Sequence, residues 1–184
     1  IVNYTNIASD CGVSSPTVKE YFQILEDTLT GNFLPSFQKR AKRRIVGSPK
    51  FYFFDVGIAN FLLKRSMVEY GSEVFGKAFE HFIFQEILAH KKYSNLDYDI
   101  SYWRTASQVE VDFILGNAEV AVEVKSTQSA QNRHLSGLKK FESDYRPKKL
   151  ILITNDQYPR KIEKISVMPW KHFLEELWAN KIIS

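Results

Sequence analysis

A single cysteine, Cys11, stands in this chain of 184 residues, so no disulfide can form within it. No apolar run is long enough to span a bilayer, and the start has no charged stretch followed by an apolar one of the secretory kind. These absences predict a soluble cytoplasmic protein that folds without oxidation and has no membrane partner. An initiator methionine is missing too. The chain begins at Ile1, and the expectation is a piece of a longer polypeptide.

Acids are missing from one long stretch. Between Thr28 and Phe54 there is no Asp or Glu, while Lys39, Arg40, Lys42, Arg43, Arg44 and Lys50 contribute six positive charges. The whole chain carries +4, so the remainder carries −2 and the basic excess belongs to one segment. That segment is the candidate contact for a polyanion such as DNA. A solvated turn is the plainer alternative. A nucleotide site is also lacking. Gly71, Gly76 and Lys77 have the spacing of a phosphate-binding loop, but Ala78 stands where a Ser or Thr must hold magnesium, and no strand precedes.

What is present is a globular composition, 44% hydrophobic and 14% aromatic, enough for one or two modest cores. Ile7, Ala8 and Cys11 form a short helical face that Gly12 ends. Ser14-Ser15-Pro16 then reads as an N-cap and helix start, followed by Val18, Tyr21, Phe22, Leu25 and Leu29 at helical spacing. This is a helix-turn-helix pattern with Thr17, Lys19, Glu20 and Gln23 on the free face. Phe33-Leu34 and Phe51 to Phe54 read as strands flanking the basic segment, a hairpin or wing. Residues 1–66 are therefore expected to form a winged-helix-like domain, which contacts DNA or bridges other domains. Asp55 caps a helix to about Leu63, with Ile58, Ala59, Leu62 and Leu63 inward.

Residues 67–184 are expected to form the second domain. A helix carries Val74, Phe75, Ala78, Phe79, Phe82, Ile83, Ile87 and Leu88 as a wide apolar surface, with Glu80 inside it. A carboxylate there is costly to bury unless a cation meets it; Lys77 and His81 are its neighbours, and Glu86 and His90 are spaced for a pair. The period then changes to strands at Ile100–Trp103, Gln108–Leu115 and Glu119–Lys125. Alternation puts Glu110, Asp112 and Ile114 on one face of the middle strand, and Glu123 with Lys125 on one face of the next. A two-residue turn at Gly116-Asn117 leaves Asp112 diagonal to Glu123. A four-residue turn sets them opposite, and a three-residue turn without a bulge sends them to different faces.

Carboxylates so grouped raise one another's pKa, and a single lysine cannot neutralise three of them. Magnesium or manganese could, held by Glu80, Asp112, Glu123 and the Val124 carbonyl, with Lys125 orienting water or steadying charge on a phosphate. A surface hairpin with ordinary ion pairs is the plain alternative. Beyond it, a helix over Ser129–Tyr145, a buried strand at Leu150–Ile153, an edge strand at Ile165–Met168 and a helix from Pro169 complete an α/β order with room for one parallel pairing.

Glu80, Asp112 and Glu123-x-Lys125, in the order helix, three strands, helix, strand, resemble the PD-(D/E)xK superfamily with its restriction-endonuclease-like fold. More closely, Phe51-Tyr52-Phe53-Phe54-Asp55-Val56-Gly57, Gly76-Lys-Ala-Phe-Glu80, Tyr102-Trp103-Arg104, Glu110-Val-Asp112-Phe and Val122-Glu123-Val124-Lys125 resemble the domain of unknown function 4143. The resemblance implies the C-terminal region of an AAA+-type ATPase whose ATPase module lies upstream. It also implies metal ligands at Glu80, Asp112 and Glu123 and a catalytic lysine at Lys125. Val111 replaces the proline of the superfamily's name. Two functions stay open: a magnesium-dependent DNA endonuclease, or a silent module that binds DNA or a partner and regulates the ATPase.

Overall fold

The computed structural model describes residues 1–38, 47–65 and 67–183. Near the start, the side chains of Asn3 and Ser14 each accept the amide three residues ahead, that of Asn6 and of Thr17. They thereby open α1 (Tyr4–Cys11) and α2 (Ser15–Asp27), and Gly12, at φ 66°, closes the first. Phe22 meets Tyr4, Phe33 and Phe51 at ring separations of 5.8, 5.9 and 4.9 Å. This cluster seats α2 on a hairpin of β1 (Gly31–Leu34) and β2 (Lys50–Phe53).

The inward stripe of α2 is narrower than its spacing predicts. Val18 is buried, but Tyr21 is 62% and Leu29 73% exposed. The helix rests on one small hairpin and ends at Asp27, leaving Leu29 beyond it at φ 59°. On the expected recognition face, Thr17 spends its hydroxyl on Ser14, and Lys19 lies over the Tyr4 ring. Lys39, Arg40, Lys42, Arg43 and Arg44 of the expected wing lie outside the described residues.

Asp55 caps α3 (Val56–Leu62) through the Ile58 amide. Its inner side differs from the expected one. Ile58, Leu62 and Leu63 are exposed, while Val56, Ala59 and Asn60 turn towards the next helix. The N-cap sets the phase of so short a helix, and its contacts follow the spacing i, i+3, i+4 from Val56.

The second half is a sheet covered on both faces. Its elements are α4 (Glu73–Tyr93), β3 (Ile100–Arg104), β4 (Glu110–Leu115), β5 (Val120–Val124), α5 (Ser136–Tyr145), β6 (Lys149–Thr154), β7 (Arg160–Ile162), β8 (Ile165–Pro169) and α6 (Trp170–Trp178). The strand order is β3-β4-β5-β6-β8-β7, with β5, β6 and β8 parallel and the other pairs antiparallel. α4 and α6 cover one face over Phe113, Val122, Ile151 and Ile153. α5 covers the other over Val111, Ala121 and Leu152. Burial on both faces is why β6 carries the continuous apolar run Leu150–Ile153.

Three expectations are corrected. Two parallel pairings occur instead of one. The strand at Ile165 lies inside the sheet, because the short charged β7 takes the edge. The helix expected over Ser129–Tyr145 splits into a 3-10 turn at Asn132–Leu135 and α5, although Leu135, Leu138 and Phe141 are buried as its spacing requires.

The hairpin is tied to α4 by polar contacts. His81 Nε2 donates to the Phe53 carbonyl at 2.6 Å, and the Gln85 amide donates to Phe54. Past β1 the chain runs beside β3, where the Phe37 amide donates to Tyr102 at 2.7 Å and the Tyr102 amide to Pro35 at 2.9 Å. That segment covers an otherwise open sheet edge.

Gly137 lets α5 come close to β4. A β-carbon there would run into the Glu110 carbonyl and lie 3.4 Å from Glu123 Oε2. Gly137→Ala is expected to lower the urea midpoint, at unchanged slope, by an amount equivalent to about 1–3 kcal/mol. A variant as stable as wild type would rule out so close an approach.

Candidate functional site

Register decides whether the expected carboxylates meet. Leu115 pairs with Val120, Ile114 with Ala121 and Phe113 with Val122, so the β4–β5 turn has four residues, 116–119. One step further along this register sets Asp112 opposite Glu123. The step is not a regular one. Ser101 of β3 pairs with Ile114 and Trp103 with Val111, which leaves Asp112 and Phe113 both opposite Tyr102. This bulge reverses the alternation. Val111 joins Ile114 in the core under α5 while Phe113 faces α4, so Ile114 does not share the face of Glu110 and Asp112 as simple alternation predicts. At the bulge the Asp112 carboxylate takes the place of a ladder acceptor, receiving the Val124 amide at 2.8 Å.

Glu80 comes from the middle of α4, and its cation comes from β2. Glu80 Oε1 accepts from Lys50 Nζ at 2.8 Å and from the Tyr52 hydroxyl at 2.5 Å. Lys50 and Tyr52 are two apart on one strand and so point the same way. The same ammonium lies 2.5 Å from Glu110 and 3.8 Å from Asp112 Oδ1, above the Tyr102 ring. Arg104 pairs with the second oxygen of Glu110 at 3.1 Å. On the far side, Lys125 holds Glu123 Oε1 at 2.6 Å, while Glu123 Oε2 is buried with no partner.

Glu80, Asp112, Glu123 and Lys125 thus share one neighbourhood, each within electrostatic reach of the others. Lys50, Tyr52, Glu110 and Arg104 complete it, and reasoning from the sequence misses them as site residues. Charge alone groups Lys50 with the basic segment as a DNA contact, yet it is 9% exposed and committed to carboxylates. The period-2 pairing of Lys50 with Tyr52 is the signal that could have found it. The other pairings expected on α4 are not made: Lys77 pairs with Glu73, and Glu86 accepts from Trp178 while His90 bonds Tyr98 and Asn180.

Burial acts unequally on the acids. It pushes Asp112 well above the ordinary aspartate range, with Glu123 and Glu80 adding to the rise. Burial also lifts Glu123, to about 7, against the pull of Lys125. At Glu80 burial is outweighed by Lys50 and the Tyr52 hydrogen bond, which hold the carboxylate below its usual range. Burial opposes the charges of Lys50 and Lys125 as well, but the acids around them keep both ammoniums above the ordinary lysine range. Glu80 is therefore ionised at neutral pH, whereas Asp112 and Glu123 keep protons to higher pH than free carboxyls do.

The donor set suits a hard cation. Glu80, Asp112, Glu123 and the Val124 carbonyl offer oxygens of the kind magnesium or manganese takes, and the partnerless Glu123 Oε2 fits such an ion. As the side chains stand, no three acidic, histidine or cysteine groups converge on one point among the described residues. Lys50 already bonds Glu80 and approaches Asp112, so the cluster holds more internal cations than the single lysine expected.

The proton on Glu123 has a consequence for stability. Its pKa is about 7 folded against 4.5 as the reference, so its contribution is whole below about pH 4.5 and is lost as pH rises through 7. With chelator present, Glu123→Gln is expected to match wild type at pH 5 and to be the more stable protein at pH 8, by up to about 3 kcal/mol. Denaturant melts at the two pH values check this; a variant weaker than wild type at pH 8 contradicts it.

Residues 75–173 match the family model described as Domain of unknown function (DUF4143), and residues 1–69 match the one described as Domain of unknown function (DUF8612). No curated protein and no solved structure matches the chain. The first match spans more than half of the chain and contains Glu80, Asp112, Glu123 and Lys125, while Lys50 and Tyr52 fall in the second. Phe51 to Gly57, expected to belong to the same domain, fall in the second match instead, and over residues 75–173 the chain belongs to the family of the domain of unknown function 4143.

Proposed function

We propose that this chain is a magnesium- or manganese-dependent DNA endonuclease with a restriction-endonuclease-like core of the PD-(D/E)xK kind. The observation that carries the reading is the Asp112 carboxylate held on the Glu123–Lys125 end of β5, accepting the Val124 amide at 2.8 Å, with Lys125 bonded to Glu123 at 2.6 Å. The order α4, β3, β4, β5, α5, β6 is also that of the superfamily's core. The site lies at the carboxyl end of the parallel strand β5, a usual place for ligands in α/β sheets.

Bound at Glu80, Asp112, Glu123 and the Val124 carbonyl, the ion would supply Lewis acidity towards the scissile phosphate and a more acidic water. Lys125, 40% exposed at its side chain, is the group able to reach a phosphate oxygen or an attacking water from the protein side. Glu123 aims that ammonium, and the Val124 amide aims Asp112. Phosphates further along the duplex would meet Lys39, Arg40, Lys42, Arg43 and Arg44, together with Thr17 and Lys19 of α2, in a winged-helix arrangement. The reading puts the chain behind an ATPase module of the same cytoplasmic polypeptide.

A second reading has its own observation. Lys50, Arg104 and Lys125 already pair with Glu80, Glu110 and Glu123, so these acids have cations without a bound ion. A silent module of this kind would bind DNA or a partner and regulate the attached ATPase.

Plasmid cleavage separates the two. Wild type is expected to nick DNA with magnesium or manganese and not with chelator, and Asp112→Asn and Lys125→Met are each expected to lose at least about 100-fold, or about 2.7 kcal/mol in the barrier. No metal-dependent cutting, or unchanged cutting in both variants, removes the nuclease reading. Alanine at Lys42, Arg43 and Arg44 is expected to flatten the dependence of DNA affinity on salt by about 0.9 in log–log slope for each phosphate left without its cation. An unchanged slope assigns DNA contact to another surface.

A further inference from the structure

We infer that Lys50 is a built-in counter-cation of the acid cluster, competing with a divalent ion for Glu80 and Asp112 and so setting how tightly the site takes magnesium or manganese. The inference rests on the metal-site reading above. Lys50 Nζ lies 2.8 Å from Glu80 and 3.8 Å from Asp112, two of the three acidic side chains that the ion would use. An ammonium bonded to a carboxylate oxygen occupies the lone pairs that a cation needs, and the two positive charges repel each other.

Lys50 is built into this position. It begins β2, lies above the Tyr102 ring, and is followed two residues later by Tyr52, whose hydroxyl bonds the same Glu80 oxygen. It also has somewhere to go. Glu110, 2.5 Å away, is not among the expected ligands and is anchored by Arg104, so it can keep the ammonium when Glu80 and Asp112 turn to an ion. A cavity of about 410 Å³, lined by Lys50, Glu80, Arg104 and Glu110 among others, leaves room for the exchange. Lys125 differs, because it pairs with Glu123 on the other side and its side chain is far more exposed.

Calorimetric titration with manganese tests the inference without an activity assay. Lys50→Met keeps the length of the side chain and removes the charge; it is expected to bind manganese at least about tenfold more tightly than wild type, a gain of about 1.4 kcal/mol. Lys50→Arg, which keeps the charge, is expected to stay within about threefold of wild type, and Asp112→Asn to abolish the tight binding. In chelator Lys50→Met is expected to melt below wild type and to recover on adding manganese, because the ion takes over the neutralisation. Should the methionine variant fail to fold, Lys50→Gln is read the same way. Equal or weaker manganese affinity in the neutral variants overturns the inference and leaves the metal site intact. No binding by any of the proteins overturns both.

Discussion

The contact between Lys50 and Glu80 is the constraint on which the arrangement turns. Glu80 sits within the apolar surface of α4, where an ionised carboxylate without a cation would cost several kcal/mol. Its own helix offers none, since Lys77 is turned to Glu73 at the solvent side. The cation comes from thirty residues earlier in the chain. Meeting that need fixes where β2 lies on α4, and with it the Tyr52, His81 and Gln85 contacts and the aromatic cluster that seats α2. Removing Lys50 would leave Glu80 with the Tyr52 hydroxyl and no cation in hydrogen-bond contact, whereas removing Glu80 would leave Lys50 to Glu110 and Asp112. The N-terminal hairpin is therefore as much a part of the acid cluster as the strands that carry it.

Backbone irregularity does the rest of the positioning. In a regular ladder β4 would offer a carbonyl to the Val124 amide, and Asp112 would project to one face. The bulge opposite Tyr102 instead brings the side chain in as the acceptor and lets Val111 serve the core beneath α5. Gly137 extends the same economy to the helix, allowing α5 to approach the Glu110 backbone and the Glu123 carboxylate. Bulges recur where a strand must re-aim a side chain, which is their role at Asp112.

How much of this is legible in the sequence follows from range. Caps, helix phases with a wide apolar stripe and strands of period 2 are local, and Asn3 apart, Ser14, Asp55, Asp112, Glu123 and Lys125 can be read where they stand. The length of the β4–β5 turn cannot, because Gly116 fits several turn types, and the four-residue one is favoured by how β4 and β5 pack. Lys50 misleads for a different reason. Counting charge along a segment ignores that a strand turns alternate residues inward, and the first residue of β2 belongs to the interior. β7 is silent because three residues, two of them charged, carry no periodic signal. α3 is rotated from its expected phase because four apolar residues fit two adjacent faces of so short a helix.

Charge balance also separates the two readings of the site. Four carboxylates, Glu80, Glu110, Asp112 and Glu123, face three cations, Lys50, Arg104 and Lys125. A proton retained by Asp112 or Glu123 brings the corner close to neutral, which is comfortable for a buried cluster and unhelpful for an enzyme of phosphodiesters. A phosphate arriving there would find one exposed ammonium, Lys125, whose charge is largely spent on Glu123. Catalysis on a polyanion requires the corner to gain positive charge as the substrate comes in, either by exchanging protons for a divalent ion or by freeing Lys125 from Glu123. A scaffold requires neither. The same side chains thus support opposite roles according to whether their neutrality is an end state or a resting state, a neutrality to which Lys50 contributes by pairing with Glu80 and Glu110.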